Sequence, residues 1–127
     1  MSYRWGDRSR RRMEGLHPHL VQWLDRFIEV TPLDITVLEG MRSAERQARL
    51  VASGASKTMH SRHLTGHAVD IAPLVAGRVS WDWPLYHAIS EAGFQAANDV
   101  RIPIEWGGNW TSFKDGPHWQ LPRSVYP

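Results

Sequence analysis

The spacing of apolar positions changes several times along the chain, and each change marks an element. Leu20, Trp23, Leu24, Phe27 and Ile28 recur at the i, i+3, i+4, i+7, i+8 spacing of a helix buried along one stripe. Pro32 ends it, because a proline ring cannot continue a helix. Ile35 to Met41 has a β-branched start, with Pro32 and Gly40 as its punctuation, and predicts a short strand running into Arg42. Ser43 is suited to cap a second helix from Ala44 to Ser53, which Gly54 closes. Ala55 to Thr65 is polar and histidine-rich and reads as a loop. His67 to Ala72 alternates as a strand, with Ala68, Asp70 and Ala72 on one face and His67, Val69 and Ile71 on the other.

Trp83-Pro84 opens a third helix, with proline in the first turn, Gly93 at the end, and Leu85, Ala88, Ile89 and Ala92 in the buried stripe. Ile102 to Trp106 reads as a strand, Gly107-Gly108 as a turn and Pro117 to Leu121 as a last short strand. No internal repeat or low-complexity segment interrupts this order. Long loops, rather than regular crossover helices, join the strands. The expectation is therefore an α+β fold: one domain, with a small antiparallel sheet packed with about three helices.

Composition narrows the chemistry. At 127 residues, 42% apolar, the chain suits one domain with its own core. It has no cysteine, so a metal would have to sit on His, Asp or Glu, and seven histidines are available. Arg4, Arg8, Arg10, Arg11 and Arg12 all precede residue 13, which leaves ten cationic against twelve anionic side chains in the remainder. Residues 1–13 are thus expected to be a basic, flexible, solvated arm suited to approaching an anionic surface, ahead of a slightly acidic domain over 14–127. A basic face on the folded body, the usual footprint of nucleic-acid binding, is not indicated. No apolar run approaches the ~18 to 20 residues of a membrane span, and the first twenty residues have no secretory apolar stretch, so a soluble protein made in the cytoplasm is expected.

Residues able to do chemistry gather in two segments, Ser61-Arg62-His63-Leu64-Thr65-Gly66-His67-Ala68-Val69-Asp70 and Asp115-Gly116-Pro117-His118-Trp119. A catalytic zinc site takes three protein ligands and keeps a fourth position open. His63 and Asp70, seven apart, can meet if the loop folds His63 back over the strand, and His118 on a later strand would close the triangle. Asp115, three residues before His118, is placed to act as a general base. Arg42 could hold a substrate carboxylate or the charge developing on the scissile carbonyl.

The plainer readings carry weight residue by residue. A single His or Asp is more often a surface or hydrogen-bonding group than a ligand, and Arg42 alone is more often a salt-bridge residue. His60 and His67 compete as ligands, but His67 falls on the strand face away from Asp70, so both read as supporting or structural. Ser61 lacks the Gly-x-Ser-x-Gly turn of a nucleophile and reads as a hydrogen-bond donor near substrate. Trp106, Trp110 and Trp119 lie near the Asp115 segment and could floor a cleft.

Ser61-x-His63-x-x-Gly66-x-Ala68-x-Asp70 followed by Asp115-x-x-His118 resembles the zinc-dependent peptidoglycan peptidases grouped with the D-alanyl-D-alanine carboxypeptidases and dipeptidases, of hedgehog-like fold. The resemblance runs from about Leu33 to Leu121, and it implies one Zn2+ on His63, Asp70 and His118 with Asp115 as catalytic base. An Asp, rather than Glu, at the base position is similar to phage endolysins that cut L-alanyl-D-glutamate bonds. Arg42-Ser43-x-Glu45-Arg46-Gln47 and Glu105-Trp106-Gly107-Gly108-Asn109-Trp110 also resemble segments of those enzymes, the first supplying a substrate-contacting arginine. Asn109 departs from them, standing where Asp is common.

The resemblance implies a phage lysis enzyme acting on the peptidoglycan stem peptide, with Asp115 catalytic and Arg42 and Ser61 binding substrate. It is expected to be a monomer made in the host cytoplasm that reaches periplasmic peptidoglycan through a phage-made pore, with neither nucleic-acid binding nor stable membrane insertion. A D-alanyl-D-alanine carboxypeptidase or dipeptidase, and a non-catalytic zinc-containing module that binds cell wall, stand as alternatives.

Overall fold

The computed structural model describes residues 2–127. In chain order the helices are α1 (Asp7–Arg12), α2 (Pro18–Val30), α3 (Ala44–Ala52) and α4 (Trp83–Val100), and the strands are β1 (Ile35–Glu39), β2 (Ala68–Val75), β3 (Arg78–Val79), β4 (Glu105–Trp106) and β5 (His118–Gln120). The strands form one antiparallel sheet in the order β1-β2-β5-β4, with the short β3 folded back on β2. The α+β expectation holds. Helices α2 and α4 pack against each other, and Trp23 and Phe27 of α2 meet Trp119 of β5 at ring-centroid distances of 5.1 and 5.7 Å. Val69, Ile71 and Trp119 alternate toward this core, which leaves the intervening Asp70 and His118 on the opposite face.

The N-terminal segment differs from the expected arm. Residues 7–12 are helical, and Trp5, Ser9 and Met13, spaced four apart, are buried. Helix α1 packs on β1, where the Ser9 hydroxyl accepts the Val37 N–H at 3.0 Å and bonds Thr36 Oγ1 at 3.1 Å. The arginines occupy the outer positions, with Arg10 paired to Asp25 at 3.0 Å and Arg12 donating to the Val37 carbonyl at 2.9 Å. This fourth helix is stabilised by contact with the sheet rather than by a periodic apolar stripe of its own.

Helix α4 also corrects the expected end at Gly93, because it continues to Val100 and closes on Arg101 in the left-handed conformation. Gly93 lies inside the helix because Trp119 needs the room. A Cβ there would meet Trp119 Cη2 at 2.5 Å, and the Gly93 carbonyl accepts the Trp23 indole N–H at 2.8 Å. The buried face is Tyr86, Ile89, Ser90, Ala92, Gly93, Ala96 and Ala97, so Ile89 and Ala92 lie on it as expected, whereas Leu85 and Ala88 are only partly buried.

Candidate metal centre and cleft

Sheet register builds the centre. Asp70 and His118 are directly paired residues of the β2–β5 ladder, so both side chains leave the same face. His63 comes from a 3-10 turn at Arg62–Thr65, capped by Ser61, whose hydroxyl accepts the His63 N–H at 3.3 Å. Gly66 ends that turn at φ +75°, and a Cβ there would press to 2.6 Å from the Gly15 carbonyl oxygen, so only glycine allows this return into β2. His63, Asp70 and His118 are thus brought together as expected, each offering a ligand atom within 4.8 Å of the others.

The ring nitrogens are sorted by their outer partners. His63 Nδ1 lies 2.9 Å from the Gly40 carbonyl, which only accepts, so Nδ1 carries the proton and Nε2 faces Asp70 with its lone pair. His118 Nε2 is 2.7 Å from Gln120 Oε1, leaving Nδ1 turned to Asp70. Asp70 Oδ1 sits 3.3 Å from His63 Nε2 and 3.5 Å from His118 Nδ1, yet it is buried with no aligned donor. Burial pushes the Asp70 carboxyl upward, but the imidazoles, once protonated, outweigh it by hydrogen bonding and charge and hold the group well below the ordinary carboxylate range. Two imidazole lone pairs and an orphaned carboxylate oxygen around one point match the donor set of a catalytic zinc site.

Asp115 lines the same cleft, and its backbone N–H donates to the Gly107 carbonyl at 3.1 Å. Burial, then the Asp70 charge, raises its carboxyl above the ordinary value, partly offset by His118, His63 and Arg42. A carboxyl shifted this way is a better proton acceptor near neutrality. Arg42 is held on three sides: its Nε donates to Glu39, its Nη1 donates to Gln47 Oε1 at 2.7 Å, and its Nη2 lies 3.9 Å from Asp70. A register shift between Val37 and Glu39 places Glu39 opposite Asp70 and so directs the chain toward Arg42.

Two polar residues went unassigned in the sequence. Gln47 is fully buried and bonds Arg42, Ser56 Oγ at 2.8 Å and the Thr58 carbonyl at 2.5 Å, fastening Arg42 to the segment that forms one cleft wall. Gln120 orients His118, and its place two residues on along the same strand face was the available signal. His67 stays out of the centre and bonds Thr65 Oγ1 at 2.6 Å, while the exposed His60 lines the outer cleft. Of the three tryptophans expected to floor the cleft, Trp106 and Trp119 are core residues; Trp110 alone reaches it, packing on the His118 ring at 5.1 Å.

The antiparallel sheet thus presents a His-Asp-His triangle that could hold a metal ion, in a cleft that Asp115 also lines. The profile of the phage L-alanyl-D-glutamate peptidase family matches residues 1–121, and the chain belongs to that family. The L-alanyl-D-glutamate peptidase of Escherichia phage T5 is 30% identical over 99% of this chain and 94% of its own length. The crystal structure of the Serratia marcescens L-Ala D-Glu endopeptidase ChiX superposes with a TM-score of 0.92 at 43% identity, covering 98% of this chain and 94% of that one. The D,D-dipeptidase VanXYg shares the fold at a TM-score of 0.56 and 17% identity, over 87% of this chain and 53% of its own.

Proposed function

We propose that this protein hydrolyses the L-alanyl-D-glutamate bond of the peptidoglycan stem peptide, with His63 Nε2, Asp70 Oδ1 and His118 Nδ1 holding one zinc ion. The observation that carries the reading is the buried Asp70 oxygen, without a donor, between two imidazole nitrogens whose outer hydrogen bonds turn their lone pairs inward. Zinc held there would supply a Lewis acid that polarises the scissile carbonyl and lowers the pKa of water to about 7.

The chain's own groups do the rest. Asp115 accepts the proton of the attacking water and delivers it to the departing glutamate amine. Arg42, fixed by Glu39 and Gln47, presents its remaining N–H donors to the oxygen on which charge develops. Ser61 lines the cleft and, with its oxygen engaged by the His63 N–H, has its hydroxyl proton free for a substrate carbonyl. The phage origin of the T5 relative supports a role in host lysis, with the enzyme made in the host cytoplasm and reaching the wall through a phage-made pore.

The test is digestion of purified peptidoglycan by zinc-loaded protein, followed by labelling of new amino termini. Labelled glutamate is expected. Liberated D-alanine instead would support the carboxypeptidase alternative, and zinc binding without any new terminus would support a non-catalytic module.

A further inference from the structure

The cleft has a volume of about 530 Å3 and two kinds of lining. One is aromatic: Trp81 comes from the β3–α4 connection, and Trp110 and Phe113 from the connection between β4 and β5. The other is cationic, with Arg46 on α3, Lys57 on the segment after it and Arg123 in the C-terminal tail. The two linings meet where the Lys57 ammonium stands 4.5 Å over the Phe113 ring.

The aromatic lining has no core to serve. Trp81 is 64% exposed and Phe113 55% exposed, although the fold buries Trp5, Trp23, Trp106 and Trp119. Leaving large ring faces in water forgoes the gain of burying them, and such faces beside a cleft mark contact surfaces. Phe113 also has a left-handed backbone at φ +53°, an uncommon conformation for a bulky residue and one that clusters at ligand sites.

The substrate is divided in the same way. On the amine side of an L-alanyl-D-glutamate bond come residues with free carboxylates, which suit the cationic lining. On the acyl side, the alanine is amide-linked to the lactyl group of an N-acetylated aminosugar, so an uncharged ring follows within roughly 7 Å of extended chain. We propose that Trp81, Trp110 and Phe113 form a saccharide subsite on the acyl side of the scissile bond, taking that aminosugar by stacking its C–H face on their rings. This rests on the functional reading above and adds to it a direction for the substrate: sugar toward the aromatic lining, peptide tail toward Arg46, Lys57 and Arg123.

The experiment compares kcat/KM for a disaccharide-tetrapeptide and for the N-acetylated tetrapeptide of the same sequence without sugars. The native protein is expected to prefer the first by about tenfold, the range of one or two aromatic contacts. Trp81→Ala, a change at an exposed position, is expected to bring that ratio close to one. Equal kcat/KM on both substrates in the native protein, or an unaltered ratio in Trp81→Ala, overturns the proposal.

A second measurement is independent of cleavage. Indole N–H signals in the NMR spectrum, assigned with Trp81→Phe and Trp110→Phe, are followed while peptide-free disaccharide is added. Movement of the Trp81 and Trp110 signals is expected, and unmoved signals overturn the subsite. If neither peptide is cut, the functional reading fails while the titration still decides the subsite.

Discussion

Asp70 and His118 are direct partners across the β2–β5 ladder, and the Asp70 oxygen between them and His63 has no hydrogen-bond donor. A buried acceptor left unsatisfied costs about 1 to 3 kcal/mol, which a bound cation would recover. Asp70→Ala is therefore expected to lose zinc through gel filtration, and the native protein is expected to keep one equivalent. Zinc at a hundred times its Kd should stabilise the native fold by about 2.7 kcal/mol, several degrees in Tm, and should leave Asp70→Ala unmoved. Metal analysis and thermal melts read both effects.

Gln120→Leu removes the acceptor at His118 Nε2 while leaving all three ligands in place. Partners of this kind are worth about 10- to 100-fold in metal affinity. Competition with a fluorescent chelator should show a weakening of that size, with an unchanged circular dichroism spectrum.

These two predictions differ in how far the sequence disclosed their basis. His63, Asp70, Asp115 and His118 were legible because they fall in two short polar segments, Ser61 to Asp70 and Asp115 to Trp119, that resemble a known family's motifs. Gln120 acts through one side-chain bond and Gln47 through three, and only the register of β5 and the fold of residues 53–60 create them. Helix α1 was illegible for a related reason. The buried residues in it and beside it, Ser9 with Trp5 and Met13, are few, one is polar, and they stand among arginines, so only contact with β1 reveals the inward face. Aromatic rings near the motif also misled, since Trp106 and Trp119 alternate inward on β4 and β5 and the cleft receives Trp110 instead.

Gly93→Ala tests the packing of α4 against β5. In an open helix this change stabilises by about 1 kcal/mol. Here the added methyl meets Trp119 at 2.5 Å, so the sign should reverse, with a loss of about 1 to 3 kcal/mol in urea unfolding.

Tyr86 is pushed up to about 12 by burial, then by the charges of Asp115 and Asp70, from an ordinary value of 10.0. Its hydroxyl donates to the Ser80 carbonyl at 3.0 Å. A folded-state pKa above the unfolded one stabilises the fold fully below about pH 10, and that contribution is lost as pH rises toward about 12. Absorbance titration should show one tyrosine ionising near pH 12, absent in Tyr86→Phe, and the variant's stability should fall less steeply above pH 10.

The central claim, a zinc-dependent cut with Asp115 as the base, is tested most directly by mass spectrometry of a defined disaccharide-tetrapeptide after incubation with zinc-loaded protein. The account expects two products, the disaccharide carrying L-alanine and a tripeptide beginning with D-glutamate. It expects Asp115→Asn to slow their appearance by about 10² to 10⁴-fold while still retaining zinc. An intact substrate, a product lacking only D-alanine, or an undiminished rate in Asp115→Asn would contradict it.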